Sequence, residues 1–232
     1  MNISIVIPVG TEENHEIYHQ IYDGLHKDSE LELVWVSANL TLNKWLESKN
    51  QRVIEEKGPN RAYRLNIGIR AASFEHIILH HPRSILAEGA IGELKKTFMK
   101  NSKAWGGFTH RFFDSSHYLM KFTSWYSNRV RFDLKGIIYL DHCFYFNKRL
   151  IGDNPYVPEV DIFEDTLLSD KLNKLGPPTR LSSFSSTSAI RFNKNGTWKQ
   201  ALMNQKLKLA YLFKTTNDKE MNKTYEKDLW LN

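Results

Sequence analysis

The chain predicts an α/β fold with a mostly parallel sheet flanked by helices, and three observations carry that expectation. Short apolar runs rich in β-branched residues recur at 3–8 (ISIVIP), 31–37 (LELVWVS) and 77–79 (IIL). Their length and flanks suit strands buried on both faces better than helices. Between them, apolar residues recur at helical spacing. Pro8 with Gly10, and later Gly58-Pro59-Asn60, punctuate the pattern as turns. Such alternation builds a doubly wound sheet.

Taken in order, the run at 3–8 is the first strand. Thr11 stands as an N-cap, and Glu12 and Glu13 lead into a polar helix ending near Leu25. Residues 31–37 form a second strand, 42–48 a short helix and 52–55 a third strand. Ala62, Leu65, Ile69 and Ala72 place a helix over 61–72. The strand at 77–79 ends at His80-His81-Pro82. Residues 87–100 make an amphipathic helix whose basic end suits its dipole. Beyond 104 the pattern changes: 105–113 alternates like a strand, 118–130 is helical and 136–146 is strand-like. A loop then reaches Glu164, and a helix over 165–175 stops at Gly176-Pro177-Pro178. Residues 197–213 form a basic amphipathic helix, followed by a charged tail. The expected organisation is one domain over 1–196, with the helix and tail of 197–232 packed on it.

Composition bounds the function. At 232 residues, 41% hydrophobic and 25% charged, the chain can bury a core of its own. The lone Cys143 excludes an intramolecular disulfide and a cysteine-rich zinc site, and it suits a reducing cytoplasm. No run approaches the roughly 20 apolar residues of a membrane span. The opening MNISIVIPVG lacks the basic start and cleavage pattern of a secretory signal. A net charge of +6 suits phosphorylated ligands, an anionic membrane surface or nucleic acid. The basic residues are spread along the chain without a nucleic-acid motif, so no nucleic-acid partner is expected.

The stretch 158–172 (PEVDIFEDTLLSDKL) places Glu164 and Asp165 side by side where a helix begins. Two readings are open there. The pair can simply stabilise the helix dipole, worth about 0.3–1 kcal/mol. Alternatively, a positioned carboxylate can act as a general base.

Seven pieces in order decide between them by resemblance. ISIVIPVGTEE looks like ISVIIP-x-x-NEE, and RAYRLNIGIRAA is similar to an R-A-x-Q-x-N-x-G-A helix. Residues 77–86 stand where an L-H-A-D-T strand end is found, and 105–113 resembles the strand after it. Leu140-Asp141-His142 falls at G-D-Q, Phe163-Glu164-Asp165 at M-E-D, and Arg191-Phe192 at R-W. This order, over roughly Ile3 to Tyr225, resembles the family 2 glycosyltransferases. The branch it looks nearest to is the small bacterial arsenosugar-biosynthesis-type proteins. The resemblance implies a GT-A-type nucleotide-diphospho-sugar transferase fold and inverting transfer of a sugar to an acceptor hydroxyl. It implies Asp165 as catalytic base with Glu164 in support. Pro8, Glu12, Ser37, Asn39, Arg61, Arg64, His81, Arg83 and Arg191 would hold the donor and its phosphates. Asp141 and His142 would meet the acceptor.

Two acids of that pattern are absent. Ser37-Ala38-Asn39 stands where an Asp follows the second strand, and His80-His81-Pro82 replaces the metal-binding H-A-D. Hard oxygen ligands suit Mg²⁺ or Mn²⁺, and proline supplies none. Three alternatives follow: a metal held by His80 and His81 with His142, a metal-free clamp in which Arg83, Arg61, Arg64 and Arg191 bind the diphosphate, or a degenerate module that keeps the fold and binds a nucleotide or sugar without turnover. Asn66 and Gly68 read as packing residues between helix and strand.

The helix at 197–213 puts Trp198, Ala201, Leu202, Leu209 and Leu212 or Phe213 on one side, with Lys199, Lys206, Lys208 and Lys214 giving basic character. It either packs on the domain or meets an anionic membrane surface, where lipid-linked acceptors reside. The aromatics of 118–126 are either an acceptor platform or core. The expected location is the cytoplasm, with peripheral contact at the inner membrane face.

Overall fold

The structure is a computed structural model that describes residues 1–10, 16–152, 156–213 and 220–221. Its central strand is β1 (Ile3–Val9), every residue of which is buried. Strand β2 (Leu31–Ser37) runs parallel to it, from Ile3 against Leu31 to Val9 against Ser37. One helix joins them, and a second leads on to the next strand. Helix α1 (Glu16–Leu25) follows the first strand, and the expected Thr11 cap with Glu12 and Glu13 lies outside the described residues. Helix α2 (Leu40–Ser48) follows the second, with Asn39 as its N-cap accepting from the Leu42 amide. Strand β3 (Val53–Glu55) adds to the edge of β2, and helix α3 (Arg61–Ala71) starts at an Asn60 cap.

Strands β4 (His76–Leu79) and β5 (Ser84–Leu86) flank the His80-His81-Pro82 turn, and helix α4 (Ala90–Lys100) follows. Strand β6 (Gly106–Phe112) leads to α5 (Tyr118–Tyr126), which continues as a π-helical turn over Ser127–Leu134. The region expected as a long strand at 136–146 contains only β7 (Phe144–Asn147). Gly136 and Cys143 take left-handed backbone there, so the chain turns through a 3₁₀ segment, Leu140–His142, instead of extending. The chain closes with α6 (Glu164–Asn173), β8 (Thr179–Thr187), α7 (Ile190–Asn195) and α8 (Thr197–Phe213).

The eight-stranded sheet has the order β3-β2-β1-β4-β7-β6-β8-β5. The first four strands of that order are parallel, β7 reverses between β4 and β6, and β8 runs parallel to β6. Strand β8 escapes sequence reading because TRLSSFSST has neither an apolar run nor strict alternation. Its hydroxyls are satisfied within the sheet: Thr187 Oγ1 meets Ser84 Oγ at 2.6 Å, and Ser186 Oγ accepts from Arg111 Nε at 2.8 Å. A serine-rich strand can therefore be buried at no cost in unpaired polar groups.

Alternation along β1 feeds two cores. Ile3, Ile5, Ile7 and Val9 pack with Tyr18 and Ile21 of α1, Leu42 and Leu46 of α2, and Leu94 and Phe98 of α4. Val6 faces the other way, with Ala62, Leu65 and Ile69 of α3 and Leu168 and Leu172 of α6. Helix α3 lies tight on the sheet because residue 68 is glycine. A Cβ there would stand 2.2 Å from Val6 Cγ1. Asn66, fully buried, bonds the Val157 backbone in both directions at 2.8 Å and fixes the loop that leads to α6. The packing role expected of Asn66 and Gly68 is what these contacts show.

Gly68→Ala therefore overpacks the α3–β1 contact and costs about 1–3 kcal/mol, lowering the melting temperature by several degrees. Gly24→Ala, an exposed helical position with nothing within 4 Å of the new methyl, leaves it unchanged or raises it. Thermal denaturation of the two variants side by side checks the contrast.

Candidate active site

A cavity of about 200 Å³ opens beyond the carboxyl ends of β4, β6 and β8. Ligands of open α/β sheets bind at such a place. Its walls include Arg61 from α3, His81 and Arg83 after β4, Asp141 from the 3₁₀ turn, and Asp165 from α6. Arg191 of α7 and Lys208 of α8 complete the charged lining.

The two carboxylates are placed by their neighbours. Phe163, with φ 64°, enters α6 in left-handed backbone, a conformation that costs a non-glycine residue about 1–3 kcal/mol. Glu164 is buried and ion-paired through Arg61 Nε. Asp165 Oδ2 accepts from the Leu140 amide at 3.0 Å and lies 3.5 Å from Arg61, while Oδ1 accepts from the Thr166 amide at 2.8 Å. Burial and the neighbouring Glu164 raise the Asp165 pKa to about 7, against the pull of Arg61 and the Leu140 amide. A buried carboxyl poised near neutrality, at the wall of a cavity, suits general-base work.

Asp141 shares this cavity. Its backbone oxygen accepts from Ser185 Oγ at 2.6 Å, so the hydroxyls of β8 hold the turn. Burial works against its charged form, but His110, His142, Arg131 and Arg61 outweigh it and lower the pKa. His142 lies behind the wall, fully buried, with one ring nitrogen against the Phe108 carbonyl and the other against Ser127 Oγ. Both nitrogens are occupied, so His142 can ligate nothing and supports the Asp141 turn instead.

The histidine pair does not converge. His81 lines the cavity and His80 does not. The His81 Nδ1 accepts from the Arg83 amide at 3.2 Å. Burial brings His80 to about 4, and burial with Arg83, Arg61, His80 and Arg191 holds His81 well below its ordinary range. Among the described residues no three His, Cys, Asp or Glu side chains gather to hold a metal. The donor set at 80–83 therefore does not fit a hard divalent cation: it offers one engaged imidazole and a proline where a carboxylate would be needed.

The donor positions separate into two groups. Arg61, His81, Arg83 and Arg191 line the cavity. Pro8, Ser37 and Asn39 lie at the ends of β1 and β2, where Ser37 Oγ accepts from the Asn39 amide and Asn39 caps α2. Arg64 turns from its helix neighbour Arg61 toward the Gly58 carbonyl and Gly10. Glu12 lies outside the described residues.

Helix α8 packs through the face opposite to the apolar one. Gln200, Asn204, Leu207 and Lys208 line the cavity, while Trp198, Leu202, Leu209 and Phe213 are exposed. Of the lysines that give this helix its basic character, Lys208 thus lines the cavity. On α5, Tyr118, Phe122 and Trp125 are also exposed, which rules out the core alternative for them. Arg131, Tyr139 and the inner face of α8 are site residues that the motifs did not reveal. Only the burial of an amphipathic helix by its polar side brings Lys208 into view.

The sequence matches no family model and no curated protein. Solved structures are similar in fold. S. aureus TarS 1-349 in complex with UDP aligns with a TM-score of 0.62 and 16% identity, over 81% of this chain and 61% of that one. The mannosyltransferase PcManGT from Pyrobaculum calidifontis, in complex with GDP-Man and Mn²⁺, aligns at 0.58 and 14%, over 84% and 61%. Glucosyl-3-phosphoglycerate synthase from Mycobacterium tuberculosis, in complex with Mn²⁺, UDP and glucosyl-3-phosphoglycerate, aligns at 0.60 and 14%, over 80% and 71%. The chain thus has the GT-A-type fold of nucleotide-diphospho-sugar glycosyltransferases, and it spans 60% of the length of TarS 1-349.

The raised Asp165 pKa has a thermodynamic consequence. Unfolded, the group titrates near 3.9; folded, at about 7. Between those values the native state binds more protons, so stability falls as pH rises, by at most roughly 1.4 kcal/mol per pH unit. Asp165→Asn removes that titration. The melting temperature of the variant relative to the parent protein rises from pH 4 to pH 8 in scanning calorimetry. A flat difference across that range would show an ordinary carboxyl.

Proposed function

We propose that the protein is an inverting glycosyltransferase that moves a sugar from a nucleotide-diphospho-sugar to an acceptor hydroxyl. The observation that carries this reading is Asp165, near-neutral in pKa, facing a cation-lined cavity at the strand ends of a GT-A fold. The motif order, from the opening strand to Phe163-Glu164-Asp165, further supports a place among family 2 enzymes, near the arsenosugar-type branch.

In this mechanism the acceptor oxygen attacks the anomeric carbon as its proton passes to the Asp165 carboxylate. The bond from that carbon to the diphosphate breaks, and the leaving nucleoside diphosphate keeps the electron pair. Configuration inverts because a single displacement occurs. Charge gathering on the diphosphate is met by Arg83 and Arg191, with Arg61 shared between phosphate and the Glu164 pair. No step is drawn through a metal, because the groups at 80–83 do not suit one. Pro8, Glu12, Ser37, Asn39 and Arg64 would meet the nucleoside end, and Asp141 the acceptor.

The exposed Trp198, Leu202, Leu209 and Phe213 of α8 lie with Lys199 and Lys206 on one helix. Tyr118 of α5 stands 6.1 Å from Trp198, ring centre to ring centre. This supports peripheral contact with an anionic membrane from the cytoplasmic side, and a lipid-linked acceptor. Among the described residues no helix is long and apolar enough to cross a membrane. A second reading, a module that binds a nucleotide or sugar without turnover, draws on the proline at 82.

Incubation with UDP- and GDP-sugars, with Mn²⁺ and with chelator, separates the readings. Nucleoside diphosphate is released equally in both conditions, and Asp165→Asn lowers kcat by about 10²–10⁴ while donor affinity stays. Donor binding without release selects the second reading. Absence of donor binding by calorimetry in either condition sinks both.

A further inference from the structure

The cavity holds two sets of cations, and the diphosphate accounts for only one. Arg83 and Arg191 act on His81, at the end of β4, and Arg61 lies between, acting on both His81 and Asp141. A second pair stands by Asp141: Arg131, from the π-helical turn after α5, and Lys208, from the inner face of α8. Nothing in donor binding or in the Asp165 step uses that pair.

The pair is built for a ligand. The Arg131 guanidinium lies over the Tyr139 ring at 4.5 Å and the Tyr126 ring at 5.3 Å. These cation–π contacts hold the guanidinium by its carbon and leave N–H donors for an oxyanion. Lys208 is largely buried beside it, and burial with the Arg131 charge lowers its pKa to about 7, against the pull of Asp141. Asp141 is the nearby acid, one carboxyl facing the two cations, with the His110 and His142 rings 3.6 and 3.8 Å from its oxygens. Two like charges in one wall repel each other until an anion lies between them. Gln200 and Asn204, two turns and one turn before Lys208, add polar groups to the same wall.

We propose that Arg131 and Lys208 hold a phosphate group of the acceptor, so that this transferase glycosylates a phosphorylated molecule. The inference rests on the glycosyl-transfer reading for the word acceptor, but the oxyanion site stands on its own residues. A phosphate dianion matches the two cations, whereas a carboxylate would neutralise only one. Asp165 lines the same cavity, so an acceptor anchored by its phosphate can present a hydroxyl to the base.

Calorimetry with inorganic phosphate tests it, on protein alone and on protein saturated with UDP or GDP, at constant ionic strength. Phosphate binds the nucleotide-saturated protein one to one. Arg131→Gln and Lys208→Met each weaken that binding at least tenfold and leave nucleotide affinity within twofold. Arg83→Gln does the reverse. Arg131→Lys, which keeps the charge, serves if the glutamine variant melts early, and it retains part of the phosphate affinity. Loss of phosphate binding on nucleotide saturation overturns the proposal, as does phosphate affinity unchanged in both variants, or acetate binding as tightly as phosphate. If neither nucleotide binds while phosphate binding still depends on Arg131 and Lys208, the oxyanion site stands and the glycosyl-transfer reading falls.

Discussion

Two carboxylates share the first turn of α6, and a guanidinium from α3 makes that arrangement tenable. Glu164 and Asp165 are both buried, and like charges so close do not both ionise cheaply. Arg61 resolves this unequally: it pairs with Glu164 and only brushes Asp165 at 3.5 Å. Glu164 is thereby the partner of a buried ion pair, and Asp165 is left near neutrality. The rest of α3 serves the same end. Asn60 bonds Asp161, Asn66 holds Val157, and Gly68 lets the helix lie against Val6. Helix α3 and its cap thus hold the loop before α6 at Val157 and Asp161, and the left-handed Phe163 follows directly on that held segment.

The opposite wall is built from the polar end of β8, where Ser185, Ser186 and Thr187 are buried. The hydroxyls of β8 reach Asp141 and Ser84, and those bonds fix the turn that presents Asp141. The His142 and His110 rings stand beside that carboxyl, and burial lowers the pKa of both against its pull. Helix α8 then closes the cavity with its polar face. Its apolar face is left outside, which is the reverse of ordinary helix packing on a core.

Charge in the cavity comes from side chains. Five cationic residues line it against the carboxyls of Asp141 and Asp165. Guanidinium groups bind phosphate oxygens in a fixed fork and need no coordination sphere. A proline at residue 82 is compatible with that solution and not with a carboxylate-bound cation. Cations line the cavity toward both its His81 and its Asp141 ends, with Asp165 lining the same space.

The parallel half of the sheet was legible in the sequence, because strands buried on both faces must be continuous apolar runs. Residues 3–8, 31–37 and 77–79 announced themselves in that way, and the helix at 61–72 did so by its spacing. The order of motifs singled out Asp165, Arg61, His81 and Arg83, which the fold brings to the lining of one cavity. Strand β8 was not legible, since its hydroxyls are satisfied by partners 42 to 103 residues away. Nor were Arg131 and Lys208, which belong to no motif and meet only after α8 lies over the cavity. Local periodicity fixed which segments were buried and in what form. Which face of α8 turned inward, and which histidines could share a ligand, depended on contacts distant in sequence, and those exist only in the folded chain.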